Sequence, residues 1–333
     1  MHPRLSRAIV EIHRAARAAP ANRFKDGALA IARRALDFDS ALWAEAPPAA
    51  NLTANNPIHL LNQPWEMMES YFRIVGAADP LIDLAVQAPG ATFNLLENFP
   101  REEWEATEAY QDHGRPFGLE GTLCTATPHP EVGLNSYISL YRSRPQSAFS
   151  ESDRQAKELL TPHLIEAYRT VLLREAADTR LRPREDRGFA LVDRAGLLLH
   201  RTPSFPGILR ATFPEWRGPY LPEALRLGIL PAGETSLGPL RAEARPRASG
   251  FSIVALEDMS PLHRLTPAER RVAHLIATGS SYKGAARALG RSPSTVGNQV
   301  SRIYAKLGLR DKASLIRLIG DTRHRSAEEA LHG

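Results

Sequence analysis

Near its C-terminal end the chain carries two helix starts of the same kind, in which a hydroxyl side chain precedes a proline. Thr266-Pro267 opens the segment LTPAERRVAHLIATG, and Ser292-Pro293 opens SPSTVGNQVSRIYAKLG. A hydroxyl at the N-cap accepts a backbone N–H of the first turn, and proline fits the first helical position because its missing N–H would have no partner there. Glu269, three residues after Thr266, completes a capping box. These signals predict two short helices with well-defined starts.

Two more helices complete the segment from Leu262 to Gly320. The alanine-rich stretch Tyr282–Leu289 is followed by a tight turn at Gly290. In the helix that Ser292 opens, apolar residues recur at steps of four, three and four, which is the period of one helix face (Val296, Val300, Ile303, Leu307). Gly308 can take the left-handed conformation that ends a helix, and Asp311 can cap a fourth helix. The segment predicts an all-α four-helix domain over 262–320, followed by a flexible tail over 321–333.

Charge sets this segment apart from the rest of the chain. Residues 262–320 hold eleven basic and two acidic side chains, a net charge of +9, whereas the whole chain carries +5. The remainder is therefore slightly acidic. A basic module at one end of a near-neutral protein indicates a polyanionic partner for that module alone.

The pattern LTPAERRV…L…G…K…A…LG.S..TV…V..IY.KLGL resembles the LuxR-type (GerE/FixJ-type) DNA-binding domain, without a gap, over Leu265–Ile319. The resemblance implies a helix-turn-helix that binds double-stranded DNA, with the helix from Ser292 to Gly308 as the recognition helix. On the pattern alone, the alternative is a helical hairpin that only dimerises. The basic charge and the ungapped match speak against that alternative.

The resemblance also implies which side chains meet the DNA. It places Gly297, Asn298 and Ser301 towards the groove. Further residues belong to the same predicted interface, mostly as contacts to the DNA backbone: Lys283, Arg291, Ser294, Thr295, Arg302, Tyr304 and Lys306. Asn298 can pair with an adenine edge, and Ser301 can bond to any base.

This chain departs from the family pattern at two places. The usual Lys-Glu-Ile of the second helix is Lys283-Gly284-Ala285, and the usual Lys-x-His after Thr-Val is Gly297-Asn298-Gln299. Gly297 costs the helix about 1 kcal/mol relative to alanine and removes a cation. We therefore expect phosphate affinity to come from the flanking basic residues, and an operator unlike those of relatives with lysine at this position.

Residues 1–260 predict an α+β sensor region. The order helix–helix–strand–helices–strands–long helix in 1–181 resembles the GAF-like sensor of one-component LuxR-type regulators, through DP (79–80), LYR (140–142), FS..D (149–153) and PHL..A (162–167). After the linker RPRED, residues 187–260 resemble a smaller PAS-like unit. The helices predicted at 150–181 and 311–319 are candidate dimer contacts, because each has an apolar stripe without an obvious partner in its own domain.

Aromatic residues of the first domain are candidates for a ligand pocket, with core packing as the alternative for each. The candidate set is Trp43, Trp65, Tyr71, Asp79, Trp104 and Tyr110. The segment PWEMMESYFRIVGAADP also resembles the acyl-homoserine-lactone-binding domain in having a Trp, a Tyr and an Asp-Pro in series, although the Trp65–Tyr71 spacing departs from it. The ligand class stays open at this point.

Other functions find no support in the pattern. A phosphorylated receiver domain would need an acidic pair, an Asp and a Lys in series, which cannot be placed. His59, His113, Cys124, His129 and His163 lack metal-ligand spacing, so we expect no metal and no cofactor. Hydrolase and phosphate-binding motifs are absent, and we expect no enzymatic activity. One cysteine precludes an internal disulfide, and no apolar run suggests a signal peptide or a membrane span, so we expect a cytoplasmic protein.

Together these observations predict a one-component transcription regulator. A small-molecule sensor would control a C-terminal helix-turn-helix that binds DNA as a homodimer, with RNA polymerase as a further candidate partner. The alternatives are a quorum-sensing receptor for an acyl-homoserine lactone, and a constitutive DNA-binding scaffold that recruits a protein.

Overall fold

The computed structural model describes residues 3–48, 52–75, 79–143, 148–177 and 186–319. Contacts divide these residues into two compact units. The N-terminal unit holds the described residues up to 177 together with 197–200 and 247–251, and the C-terminal unit holds the other residues from 186 onwards. The predicted boundary between 187–260 and 262–320 falls inside the second unit, so the division into three domains stays a prediction. The predicted tail, 321–333, lies outside the described residues.

The N-terminal unit is built on a five-stranded antiparallel sheet with the strand order β2-β1-β5-β4-β3. Its strands are β1 (Ser40–Ala46), β2 (Ile58–Leu61), β3 (Thr92–Asn94), β4 (Gly121–His129) and β5 (Leu134–Arg142). The central pair, β1 and β5, sets Trp43 opposite Ile138. Because side chains alternate along a strand, Leu42 and Ala44 face one side of the sheet and Trp43 and Glu45 face the other.

Three long helices cover the Trp43 side of this sheet. They are α1 (Pro3–Ala18), α2 (Ala21–Leu36) and α7 (Glu151–Ala177), and α7 packs against both α1 and α2. Phe24 of α2 stacks on Tyr168 of α7, with ring centroids 6.0 Å apart, and Tyr168 meets the Trp43 ring edge-on. The apolar stripe of α7 is thus buried within its own unit, so the expectation that it lacks a partner there is wrong.

Shorter helices cover the opposite side, where the candidate cavity lies. They are α3 (Glu66–Ile74), α4 (Pro80–Gln87), α5 (Leu95–Asn98) and α6 (Arg101–Glu105), followed by a π-helical turn at Ala109–Gly114. Acidic residues at its start and Gly114 at its end predict one continuous helix over 101–114, and the structure divides it. The Thr107 hydroxyl donates to the carbonyl of Trp104 and accepts the N–H of Tyr110, which ends one helical segment and starts the next.

A second five-stranded antiparallel sheet, ordered β7-β6-β10-β9-β8, follows in the chain. Its elements are β6 (Arg187–Val192), β7 (Leu198–Arg201), α8 (Phe205–Thr212), α9 (Glu223–Ile229), β8 (Gly233–Leu237), β9 (Leu240–Pro246) and β10 (Ser252–Asp258). The strand order repeats that of the first sheet: second, first, fifth, fourth, third in chain order. The chain therefore contains two α+β sheets of the same topology, although the sequence shows no internal repeat.

A helical domain follows. Its helices are α10 (Pro267–Ala277), α11 (Tyr282–Leu289), α12 (Pro293–Leu307) and a fourth, α13, over residues 312–319. Their shared core includes Val272, Ile276, Val296, Val300 and Leu315. Because Leu315 and Ile319 are buried in this core, α13 also has an intradomain partner, contrary to expectation, and of its large apolar residues Ile316 stays exposed. Dimerisation through either helix remains untested.

Candidate nucleic-acid interface and ligand cavity

Helix α12 begins and ends where its sequence predicts. The Ser292 hydroxyl accepts the Thr295 N–H at 3.1 Å, Pro293 occupies the first turn, and Gly308 closes the helix at φ +67°. Its four apolar residues, 296, 300, 303 and 307, are buried. Because this apolar face packs inwards, the opposite face of α12 is turned towards solvent.

Helices α10 and α11 fix the position of α12. In α10, Thr266 and Glu269 form the predicted capping box in both directions. Ser281 caps α11, and Gly290 ends it at φ +62°. Lys306 near the end of α12 places its Nζ 2.7 Å from Oε2 of Glu269, so an ion pair joins α12 to the start of α10. The pKa of Glu269 is lowered, chiefly by the bond from Lys306.

Most of the predicted DNA-contacting side chains are exposed. The exposed residues are Lys283, Arg291, Ser294, Thr295, Asn298, Ser301, Arg302 and Lys306. Gly297 is half-buried, and a Cβ built on it meets no atom within 4 Å. Tyr304 is half-buried, its hydroxyl is enclosed, and burial raises its pKa. Because the hydroxyl of Tyr304 is enclosed, its predicted phosphate contact would require that hydroxyl to move.

Several exposed side chains already bond within the domain. Arg291 donates to Oε1 of Gln299 at 2.8 Å, and the Ser301 hydroxyl donates to the carbonyl of Gly297 at 3.2 Å. Such bonds orient the side chains, and DNA would compete for them. On α11, Arg287 is exposed four residues after Lys283 and so lies on the same helix face, although it is not among the residues predicted from the sequence. The surface thus combines a neutral centre at Gly297 and Asn298 with basic side chains on α11 and at both ends of α12.

A cavity lies between the first sheet and helices α3 to α6. It opens to solvent, and the space within it is about 570 Å³ with the open mouth included. Its lining includes three of the predicted ligand residues, Tyr71, Asp79 and Trp104, together with the apolar Leu81 and Leu119. From the sheet, β4 contributes Cys124, whose thiol pKa burial raises to about 11.

Tyr71 and Asp79 are joined at one wall of this cavity. The Tyr71 hydroxyl donates to Oδ2 of Asp79 at 3.2 Å, and Oδ1 of Asp79 accepts the N–H groups of Leu81 and Ile82 as the N-cap of α4. Burial raises the pKa of Asp79, and the bonds from Ile82, Tyr71 and Leu81 act in the opposite direction. Asp79 is thus held by three protein donors, which fixes both the start of α4 and the rotamer of Tyr71.

Two nitrogens at the cavity have no hydrogen-bond partner among the described residues. They are Nε1 of Trp104 and Nδ1 of His113, both buried, and both residues line the cavity. Burial lowers the pKa of His113 to about 4, so its imidazole is neutral at pH 7. From the sequence, His113 is a candidate only for a metal ligand, because the π-helical turn that brings it to the cavity leaves no pattern in the sequence.

The other three predicted ligand residues do not reach this cavity. Trp43 lies on the opposite face of the sheet, where its Nε1 donates to Oε1 of Glu45 at 3.0 Å and Lys25 lies over its ring. Trp65 is 43% exposed and packs on Phe72, and the hydroxyl of Tyr110 donates to Glu120. These three do not line this cavity, because strand alternation and helix facing decide which aromatics reach it, and their role in ligand binding stays a prediction.

The histidine and cysteine candidates for a metal site are dispersed. His59 faces Asp26 at 3.1 Å, His129 bonds to Ser136, and His163 bonds to His13. Across the described ranges no three His, Cys, Asp or Glu residues are grouped so that they could hold a metal ion. Within the same ranges, no helix is long and apolar enough to cross a membrane.

Comparison with known proteins identifies the helical domain. Residues 263–319 match the family described as "Bacterial regulatory proteins, luxR family", a family of DNA-binding regulators and not of enzymes. A curated relative, the probable HTH-type transcriptional regulator GfsR of Streptomyces halstedii, is 35% identical over 115 residues, which cover 34% of this chain. The match spans 45% of that relative's length.

Solved structures give weaker likenesses. CepR2 of Burkholderia cenocepacia, an N-acylhomoserine lactone-dependent LuxR-family transcription factor, aligns with a TM-score of 0.39 and 16% identity over 53% of this chain and 99% of its own. SdiA of Escherichia coli aligns with a TM-score of 0.39 and 11% identity over 92% and 93%. The ligand-binding domain of VqsR from Pseudomonas aeruginosa aligns at 0.40 and 15% over 52% and 98%. These scores are too low to assign a ligand or a sensor type.

Proposed function

We propose that this chain, whose residues 263–319 form a LuxR-family helix-turn-helix domain, is a one-component, sequence-specific transcription regulator whose N-terminal unit senses a small molecule. The observation that carries the DNA-binding part is the exposed face of α12, where Asn298 and Ser301 stand between basic side chains. A side-chain amide can read an adenine edge, and flanking cations supply affinity through phosphates. Because operators are read by symmetric pairs of such domains, we propose a homodimer.

The sensing part rests on the cavity of the N-terminal unit. A mainly apolar lining with a few convergent polar groups is the usual form of a small-molecule site. The finer assignments, a GAF-like domain at 1–181 and a PAS-like one at 187–260, remain part of this proposal, as do contact with RNA polymerase and a cytoplasmic location. The cytoplasmic location is proposed because a transcription regulator has to reach the DNA.

Sequence-specific binding is tested with the full-length protein. Duplexes are selected from a random pool, and the Kd is then measured for the selected duplex and for a scrambled one at several salt concentrations. We expect the selected duplex to bind about a thousandfold or more tightly than the scrambled one. Equal affinities would contradict a sequence-specific regulator and would leave only a non-specific polyanion-binding module.

Sensing is tested by native mass spectrometry of the purified protein, followed by thermal shift with the compound found. A ligand that binds only the folded state raises the Tm, and above the Kd the rise grows with the logarithm of the free ligand concentration. The ligand should also change the Kd for DNA. Stabilisation by an acyl-homoserine lactone would favour the quorum-sensing receptor. A DNA affinity that no compound changes, with a protein that co-purifies, would favour the constitutive scaffold and exclude the sensor.

A further inference from the structure

An apolar groove opens to solvent on the helical domain, on a side that α12 does not form. Its walls are the 3₁₀ turn at Pro261–Arg264, helix α10, the end of α11 and the last residue of α13. None of its described lining residues belongs to the ten predicted DNA contacts. The space that water molecules can occupy in it is about 530 Å³, which is within the range of binding pockets. Its apolar lining consists of Leu262, Ala273, Leu275, Ala288, Leu289 and Ile319.

The rim of this groove carries positive charge that the domain does not neutralise. The rest of the described lining consists of Arg270, Arg271 and His274. Residues 262–319 hold two acids, and both are engaged, since Glu269 pairs with Lys306 and Asp311 accepts an N–H in the first turn of α13. Arg271 is exposed, and no described residue of the domain offers it a free carboxylate. An apolar floor with a cationic rim fits an amphipathic helix that carries acidic residues.

The chain itself supplies such a segment directly after the groove. Ile319 lines the groove, and residues 320–333 follow it, outside the described residues. Residues 326–331 read Ser-Ala-Glu-Glu-Ala-Leu, in which the serine and the second glutamate have capping-box spacing. Both alanines and Leu331 share one helix face, at i, i+3 and i+4, and Glu328 adjoins that face. A helix this short is marginal in water on its own, so it needs a partner for its apolar face.

Chain length permits this segment to reach the groove. Seven residues lead from Ile319 to Ser326, and when extended they span up to about 25 Å. Packed helices lie about 8–10 Å apart, so this reach is enough to bring the segment back over α10. A segment tethered at the wall of the groove also has a higher effective concentration there than a separate molecule. The segment's own chain is therefore the favoured source of the occupant.

We propose that residues 326–331 dock as a short helix in this groove of their own domain. Leu331 lies against Leu275 on the apolar floor, together with the two alanines of its face, and Glu328 pairs with Arg271. The docked segment leaves the exposed face of α12 free for DNA. This inference goes beyond the proposed function and does not depend on whether the N-terminal unit senses a ligand.

Disulfide trapping in the full-length protein tests the contact. The single native cysteine is removed by Cys124→Ser, and Ala288→Cys in the groove is combined with Ala330→Cys in the segment, with copper phenanthroline as the oxidant. The matched control pairs Ala330→Cys with Ala313→Cys, because Ala313 is exposed, does not line the groove and is nearer in sequence to residue 330. We expect the 288–330 disulfide to form at least about tenfold faster than the 313–330 disulfide, since docking raises the effective concentration.

Two substitutions in the 288–330 protein separate the apolar contact from the ion pair. Leu331→Ser removes the apolar anchor and should reduce the trapping rate to that of the 313–330 control. Arg271→Gln removes the cation and should slow trapping about threefold at low salt and hardly at high salt. Leu227→Ser changes a leucine that is 68% exposed and outside the groove, and it should leave the rate unchanged. Thermal unfolding of each variant shows whether it is folded.

The contrary outcomes are distinct from one another. Equal rates for the 288–330 and 313–330 pairs would overturn the proposal, and so would a Leu331→Ser protein that is trapped as fast as its parent. A disulfide that joins two chains, at a rate that rises with protein concentration, would overturn it in favour of a second copy. An unchanged rate in Arg271→Gln at low salt would overturn the pair with Glu328. Each of these results leaves the DNA measurement, and with it the proposed function, unaffected.

Discussion

The carboxylate of Glu269 pairs with Nζ of Lys306 at 2.7 Å. The same carboxylate completes the capping box with Thr266. The capping box fixes the start of α10, and the ion pair holds the end of α12 against it. The position of the recognition helix is therefore coupled to a carboxylate outside that helix.

The first prediction concerns the stability of this ion pair. Glu269→Gln keeps a side chain that can complete the capping box and removes the charge, so we expect a loss of about 0.5–1 kcal/mol in the free energy of unfolding at pH 7. The folded-state pKa of Glu269 is lowered, so its contribution is present above the unfolded value of 4.5 and disappears as the pH falls through the folded value. Urea unfolding of the parent and the variant at pH 7, and at successively lower pH, follows the loss of this contribution.

A matched control is Glu215→Gln, which changes an almost fully exposed glutamate and should alter stability by less than about 0.5 kcal/mol at each pH. A Glu269→Gln protein as stable as the parent at pH 7 would show that the pair with Lys306 contributes nothing measurable.

The second prediction concerns Gly297. Because a Cβ at this position meets no atom within 4 Å, Gly297→Ala should raise the free energy of unfolding by about 1 kcal/mol through helix propensity alone. Gly308→Ala is the control, since φ is +67° there and an L-residue is strained; it should destabilise by about 1 kcal/mol or more. Urea unfolding followed by far-ultraviolet circular dichroism measures both. A loss of stability in Gly297→Ala would mean that the helix is not regular at this point.

The third prediction separates base reading from phosphate binding. Asn298→Ala should lower affinity for the selected duplex by about 1–3 kcal/mol and hardly change binding to a scrambled one. Arg302→Ala should weaken both and reduce the slope of log K against log salt by about one unit. Fluorescence anisotropy at four or more salt concentrations gives both quantities.

Arg73→Ala, which removes one exposed positive charge from the N-terminal unit, is the control for the salt slope and should leave it unchanged. Equal losses on both duplexes for Asn298→Ala would contradict the base-reading role.

The fourth prediction concerns Lys157, a fully buried lysine of α7 whose Nζ donates to the hydroxyl of Thr125. Burial lowers its pKa to about 7, against 10.5 when unfolded. Above pH 7 the unfolded state therefore binds more protons than the folded state, and stability should rise with pH. Between pH 7 and 8.5 this contribution should amount to about 2 kcal/mol, and it should be absent from Lys157→Met.

Lys25 provides the contrast, because it is also buried but pairs with Glu45 at 3.2 Å. Lys25→Met should destabilise by about 3 kcal/mol, since it leaves the Glu45 carboxylate buried without its counter-ion. Urea unfolding of both variants at pH 7 and pH 8.5 measures the loss of stability and its pH dependence. A pH dependence in Lys157→Met equal to that of the parent would show that another group carries it.

Local signals in the sequence account for the helical domain. Thr266, Ser292 and Gly308 act on the backbone within a few residues of themselves, so each helix end could be placed before any tertiary contact was known. The strands that sequence reasoning missed, β2, β3 and β8, are all at sheet edges. Two of them have four residues or fewer. A strand that pairs on a single side shows little hydrophobic alternation for sequence reasoning to detect.

By itself, the sequence determined the helix-turn-helix, its basic charge and the residues exposed on α12, because caps, glycines and a helical period depend on neighbours in the chain. Only the tertiary structure decided which aromatics share a cavity. It buried Trp43 on one face of the sheet, left Trp65 43% exposed outside the cavity, and brought His113 to Tyr71 and Trp104 through a π-helical turn. The physical reason is that a cavity is formed by residues distant in sequence, and their meeting depends on strand pairing and helix facing, which no local pattern records.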